Sequence, residues 1–151
     1  MTIADNVRVP LIYTVNARKG HRLSESDLDQ RCGELLSLVG LNDRARKYPR
    51  DLTQVEMRKL ELARALAADP KLLLADEAMA GLSQVEVADI VALLIRLNER
   101  GITIVMIEHI MRAVMSFSQR LIVLVSGKKI ADGKPEEVIR DPEVERAYLG
   151  Q

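Results

Sequence analysis

The chain has 151 residues, enough for one domain that buries a real core. Hydrophobic residues make up 48% and charged residues 29%, which argues against intrinsic disorder. Lys plus Arg number 22 and Asp plus Glu 22, so a zero net charge gives no support to a nucleic-acid coat or a polybasic membrane patch.

The single cysteine, Cys32, removes any internal disulfide framework and any zinc site built on several cysteines. The two histidines, His21 and His109, lie far apart, so no structural metal site is expected. Aromatic residues are only 3%, which argues against a stacking platform for single-stranded nucleic acid. No apolar run approaches the ~18 residues of a membrane span. The segment Met1-Thr-Ile-Ala-Asp5 has neither a basic n-region nor an apolar h-region. The expectation is a soluble, intracellular, globular chain.

In chain order, the first twenty residues read as irregular, because Val7, Val9, Leu11 and Ile12 show no clear period. A helix is expected from about Ser24 to Val39, with Leu28, Cys32, Leu35, Leu36 and Val39 at helical spacing and Gly40 at its end. A polar connection, Asn42 to Asp51, carries Pro49. Strong helix formers fill Gln54 to Ala68, and Asp69-Pro70 stops that helix. Lys71 to Asp76 reads as a buried strand. Ser83-x-x-Glu86 is a capping box opening a helix with Val87, Ile90, Val91, Leu94 and Leu97 on one face, ended by Gly101. Ile102 to Ile107 is a second buried strand, Ile110 to Phe117 a short helix, and Leu121 to Val125 a third strand. A short strand is expected around Lys129 to Ala131, a small helix from Pro135 to Arg140, and a last helix after Asp141-Pro142, ending at Leu149-Gly150.

Strand–helix alternation after residue 70 points to a parallel sheet with crossover helices, built from 71–76, 102–107 and 121–125. Three units of one incomplete domain are expected: a helical subdomain over about 22–68, a sheet-forming lobe over about 69–134, and C-terminal helices over 135–151.

Three stretches could carry chemistry. Leu72-Leu-Leu-Ala-Asp76-Glu77 places two carboxylates at the carboxyl end of a buried strand, the edge where open α/β sheets bind ligands. Oxygen ligands there suit a hard cation such as Mg²⁺, and the second carboxylate could poise a water. The plainer reading is a strand that ends in a solvated acidic turn. Ile104-Val-Met-Ile-Glu108-His109 is a second such strand, whose end falls on the same edge if the two are parallel neighbours. Its plainer reading is a histidine capping a short helix. Thr53 opens the third stretch, at a helix start that favours anions, and an ordinary capped helix is the alternative.

Taken in order, Tyr48-Pro49, Leu52-Thr53 to Leu66, Leu72 to Asp76-Glu77, Ala80-Gly81-Leu82 and Ile107-Glu108-His109 resemble the nucleotide-binding subunits of ABC transporters. The tail Ala131-Asp-Gly133-Lys-Pro135-Glu-Glu-Val138, then Asp141-Pro142-x-Val144 and Ala147-Tyr-Leu-Gly150, is similar to the ATPases of branched-chain amino acid importers, as is Arg58-x-x-Glu61-Leu-Ala-Arg-Ala. The fold this implies is an α/β P-loop NTPase, a helical lobe plus a mostly parallel sheet with flanking helices.

The resemblance implies that Asp76 holds Mg²⁺ through water, that Glu77 polarises the attacking water, and that His109 contacts the γ-phosphate of ATP. It makes Ala80 to Ser83 the loop that meets the other subunit. Thr53, Gln54, Val55 and Glu56 become the signature segment that closes over the partner's ATP. The family signature Leu-Ser-Gly-Gly-Gln reads Leu52-Thr-Gln-Val-Glu56 here, with both glycines replaced. Ala78, Ser83 and Ile110 also depart from the family pattern.

A phosphate loop, Gly-x-x-x-x-Gly-Lys-Ser/Thr, is absent from the sequence. Gly127 to Pro135 is a decoy, with five residues between its glycines and Pro135 where a hydroxyl is needed. The chain therefore resembles about the C-terminal two-thirds of such a subunit. The implied partners are a membrane permease and a second ATP-binding subunit, with no nucleic acid. The implied location is cytoplasmic, peripheral on the inner face of the membrane through the permease. ATP and Mg²⁺ are the implied cofactors, and neither is expected to bind residues 1–151 alone. A non-catalytic permease- or subunit-binding protein derived from such an ATPase is the alternative. A DNA-repair or translation ATPase is disfavoured by the short tail.

Overall fold

The computed structural model describes residues 1–19 and 23–149. His21, Arg22 at the start of the expected 22–68 unit, and Gly150 at the end of the tail motif lie outside them.

The first element corrects the expectation of an irregular start. Residues Ile3–Lys19 form helix α1. Thr2 and Asp5 cap it reciprocally: the Thr2 N–H donates to Asp5 Oδ2 at 2.8 Å, and the Asp5 N–H donates to Thr2 Oγ1 at 3.1 Å. Ile3, Val7 and Leu11 recur every four residues and are buried, whereas Val9 and Ile12 face outward. The Ile3 and Ala4 N–H groups donate to the Lys47 and Ala45 carbonyls, which satisfies two donors the helix start would leave open. Pro10 sits inside the helix.

Helix α2 spans Glu25–Leu38 with Ser24 as N-cap, whose side chain accepts from the Asp27 N–H at 3.1 Å. Gly40 follows in the left-handed region at φ 73°. Arg8 on α1 makes ion pairs with Glu25 and Asp29 on α2. Two short 3-10 turns, Asn42–Arg44 and Pro49–Asp51, lead to helix α3, Gln54–Leu66. Both α1 and α2 lie against α3.

Strand β1, Leu72–Asp76, is followed by helix α4, Gln84–Glu99, and strand β2, Thr103–Ile107. The Ser83 capping box forms as its spacing demands, and Gly101 adopts φ 89° after α4. Strands β1 and β2 pair in parallel, Leu72 with Thr103 through Asp76 with Ile107. A helical crossover between parallel neighbours is the connection such strands require. Helix α5, Met111–Phe117, packs on α4.

The third strand corrects a second expectation. Strand β3, Leu121–Val125, does not join the parallel pair. It pairs antiparallel with strand β4, Lys128–Gly133, through a turn at Ser126-Gly127. The described residues thus hold one parallel and one antiparallel two-stranded sheet. A tight turn imposes antiparallel pairing on adjacent strands, and sequence alternation cannot tell which neighbour β3 takes. Arg120 engages the Asp132 carboxylate across this hairpin and Lys129 engages it along β4, which holds Asp132 far below the usual carboxylate range, with the Arg120 hydrogen bond the larger cause. Helices α6, Pro135–Val138, and α7, Pro142–Leu149, close the described chain.

The main core runs from Ile3, Val7 and Leu11 through Leu36, Leu60 and Ala63 to Ile90, Leu94 and Leu97. A small second cluster of Val123, Val138 and Val144 anchors the hairpin to the C-terminal helices. The parallel sheet buries one face only. Leu73 and Ala75 point into the core, while Leu72, Leu74, Val105 and Ile107 on the other face are 51%, 67%, 47% and 58% exposed. Those four fractions mark a contiguous apolar surface left uncovered among the described residues.

Candidate functional site

The β1–β2 register decides which residues share an edge. Asp76 is the last residue of β1, and its partner Ile107 is the last of β2. Glu77 and the Glu108-His109 pair follow directly, so both expected carboxylates and the histidine reach the same end of the parallel pair. The edge is closed by the Glu77 N–H, which donates to the Ile107 carbonyl at 2.9 Å. Asp76, Glu77 and His109 are all solvent-exposed.

Strand alternation sorts the side chains. Thr103, Val105, Ile107 and His109 are exposed, whereas Ile104, Met106 and Glu108 are partly buried. His109 therefore follows the open face that also carries Asp76, and Glu108 follows the inner face. Its Oε1 accepts the Met79 N–H at 2.9 Å, and its Oε2 is buried without a partner. Sequence reasoning gave Glu108 no role. The period-two pattern of Ile104-x-Met106-x-Glu108 is the signal that could have marked it as inward.

Residues 77–82 form a tight turn after β1. Glu77 has φ 45° and Gly81 φ 78°. The turn closes through Ala80 N–H to the Glu77 carbonyl at 3.1 Å and Leu82 N–H to the Met79 carbonyl at 3.2 Å. Met79 is fully buried and pins it to the core.

The Thr53–Glu56 segment forms the first turn of α3. Thr53 is the N-cap: its N–H donates to Glu56 Oε2 at 2.9 Å, and its hydroxyl accepts the Glu56 N–H at 3.3 Å. Arg44 Nε donates to Glu56 Oε1 at 3.0 Å. The Thr53 N–H, with Arg44 adding to it, holds the Glu56 carboxyl below its ordinary value. The Glu56 carboxylate is thus engaged inside the chain. Gln54 is exposed but also engaged within the chain: its Nε2 donates to the Ala80 carbonyl at 3.1 Å, joining α3 to the 77–82 turn. Spacing gave no sign of this contact. Beside it, a cleft of about 160 Å³ runs between α3 and β1, lined by Arg58, Glu61, Ala65, Leu74, Asp76 and Ala78 among others. Arg58 Nη1 donates to Glu61 Oε2 at 2.9 Å, and its Nε is buried without a partner.

The arrangement suits one half of a Mg²⁺–nucleotide site. No cluster of three or more metal-ligating side chains exists among the described residues. A Mg²⁺ held through water by one carboxylate and by substrate phosphates does not need one, so exposed Asp76 fits that end. The phosphate end does not fit. The cradle of backbone N–H groups and the lysine that grip β- and γ-phosphates have no counterpart in the sequence.

The element order and this strand edge are those of an α/β P-loop NTPase. The ABC transporter family model matches residues 1–80, and the model of the branched-chain amino acid ATP-binding cassette transporter matches residues 128–151. The chain belongs to the ABC transporter family, whose ATPase cassettes are nucleotide-binding.

Among its relatives, methionine import ATP-binding protein MetN 2 of Pseudomonas entomophila is 39% identical over 143 residues, covering 94% of this chain and 41% of the relative. The high-affinity branched-chain amino acid transport ATP-binding protein BraF of Pseudomonas aeruginosa is 37% identical over 131 residues, covering 86% of this chain and 51% of the relative. The chain thus spans about half the length of these proteins. The ADP conformation of MJ1267, an ATP-binding cassette of an ABC transporter, superimposes with a TM-score of 0.84 at 27% identity, over 100% of this chain and 63% of that one. Among the described residues, no helix is long and apolar enough to cross a membrane.

Proposed function

We propose that this chain carries the hydrolytic edge of an ATP-binding subunit that energises an ABC importer for branched-chain or related amino acids. The observation that carries the reading is the parallel register of β1 and β2, which sets Asp76, Glu77 and His109 on one edge. Bound nucleotide supplies the phosphoanhydride to be cleaved. Asp76 would hold Mg²⁺ through water, and the ion would offset the negative charge of the phosphates. Glu77, exposed beside it, accepts the proton of the attacking water at its carboxylate. His109 hydrogen-bonds the γ-phosphate oxygens from the β2 end. Thr53 to Glu56 and the Ala80–Ser83 turn face a second ATP-binding subunit, and the helical segment before β1 docks a membrane permease. That permease holds the subunit on the inner face of the membrane.

A second reading, a non-catalytic permease- or subunit-binding protein, is favoured by one observation: the Gln54 amide and the Glu56 carboxylate are engaged inside the chain. Calorimetric titration with Mg-ATP separates the two when run on residues 1–151 and on a fusion carrying the phosphate-loop segment of a related subunit before Met1. The first reading expects no binding to residues 1–151 and binding to the fusion. A fusion that folds but binds no nucleotide overturns it and leaves the second.

A further inference from the structure

The 77–82 turn uses its own Ala80 and Leu82 N–H groups for closure. The Met79 N–H and the Ala80 carbonyl bond to partners outside it, the Met79 contact part-buried, where a backbone donor needs a partner, and the Ala80 contact exposed. The two partners lie in opposite directions. Glu108, at the β2 end next to His109, accepts the Met79 N–H at 2.9 Å. Gln54, in the first turn of α3, donates to the Ala80 carbonyl at 3.1 Å.

Two further features show that both contacts are built in. A Cβ on Gly81 would lie 2.5 Å from Gln54 Nε2, so the glycine is needed for the close approach as well as for φ 78°. Glu108 keeps a carboxylate in a partly buried position although its second oxygen has no partner, an arrangement that costs desolvation and that an apolar side chain would avoid. A carboxylate accepting a backbone N–H makes a stronger tether than a neutral acceptor.

We infer that Gln54 and Glu108 are positioning residues that clamp the 77–82 turn between α3 and β2, so that displacement of the α3 start is transmitted through the turn to Glu77 and His109. Gln54 holds the α3 side and Glu108 the histidine side, with fully buried Met79 as the fulcrum. The use of this linkage in an ATP cycle rests on the function proposed above. The linkage itself does not, and its test involves no nucleotide.

Hydrogen-exchange mass spectrometry on the full chain tests it, comparing wild type with Gln54→Ala, Gln54→Glu, Glu108→Ala and Glu108→Gln. Gln54→Glu keeps the length of the side chain and removes the donor. Glu108→Gln keeps an acceptor for Met79. Both Gln54 variants are expected to speed exchange about five-fold at 77–82 and also at 107–110, with α4 unchanged. Glu108→Ala should speed the same segments and 54–57, and Glu108→Gln should restore wild-type protection. Faster exchange confined to 53–57 in the Gln54 variants would overturn the linkage, as would a Glu108→Gln chain exchanging as fast as Glu108→Ala. Should Glu108→Ala fail to fold, the exposed Gln54→Glu position still decides the matter. Failure of the fusion to bind nucleotide would remove the ATPase reading and leave these exchange results standing.

Discussion

Replacing Gly81 by alanine probes the contact between α3 and the turn after β1, and Gly40 supplies its internal reference. Both glycines are in the left-handed region, at φ 78° and φ 73°. Placing alanine there costs roughly 1–2 kcal/mol, and the stiffer unfolded chain returns about 0.4–1 kcal/mol. Gly40→Ala meets no atom within 4 Å, so it should destabilise by only about 1 kcal/mol, the balance of those two terms. At Gly81 the new Cβ falls 2.5 Å from Gln54 Nε2 and 3.3 Å from its Cδ. The Gln54 amide is the far end of a flexible side chain and swings away, and its bond to the Ala80 carbonyl is lost. That adds about 1 kcal/mol, so Gly81→Ala should cost about 2 kcal/mol in all. Urea unfolding of both variants at one low protein concentration reads the difference as a shift in midpoint at common slope. In a Gln54→Ala background the excess of Gly81 over Gly40 should vanish, because the partner is already gone. Equal midpoints for the two alanine variants, or an excess that survives removal of Gln54, would refute the reasoning.

Thr53→Ala removes the α3 N-cap and should cost about 1 kcal/mol in the same unfolding assay. Acid should loosen the fold in a set order. Glu56 and Asp132 are both held below their ordinary values of 4.5 and 3.8, so their stabilisation is complete above those values and is lost as pH falls below them. Thermal midpoints should therefore stay level from neutral pH to about 5 and then fall, and Asp132→Asn should flatten the lowest part of the curve. The apolar sheet face of Leu72, Leu74, Val105 and Ile107 should drive self-association of residues 1–151, which Leu74→Lys with Val105→Glu should reduce in light scattering. A monodisperse wild-type monomer would contradict that expectation.

Most of the secondary structure was legible because its signals are local. The Ser83-x-x-Glu86 box, the glycines at 40 and 101, and the apolar runs at 72–76 and 103–107 each announce themselves within a few residues, and their elements fall where expected. Helix α1 was not legible in the same way. Weighing Val9 and Ile12 beside Val7 and Leu11 hides the four-residue spacing of Ile3, Val7 and Leu11, and Pro10 argues against a helix. The Thr2-x-x-Asp5 pair was the start signal available. The partner of β3 was illegible for a different reason. Alternation shows that a strand exists, while pairing depends on non-local contacts that no window of sequence contains. The same limit applies at the site. The motifs named Asp76, Glu77 and His109, but Gln54 meets Ala80 and Glu108 meets Met79 across 26 and 29 residues, and only the fold brings them together.

On the proposed function, the shared edge of β1 and β2 hydrolyses ATP once a phosphate loop is supplied. Single-turnover hydrolysis by the fusion, with and without Glu77→Gln, tests it most directly. The isosteric amide keeps the shape and cannot take a proton, so Mg-ATP should bind as before while the hydrolysis rate falls by about 10²–10⁴. A Glu77→Gln fusion that binds ATP and hydrolyses it at the unsubstituted rate would contradict the account.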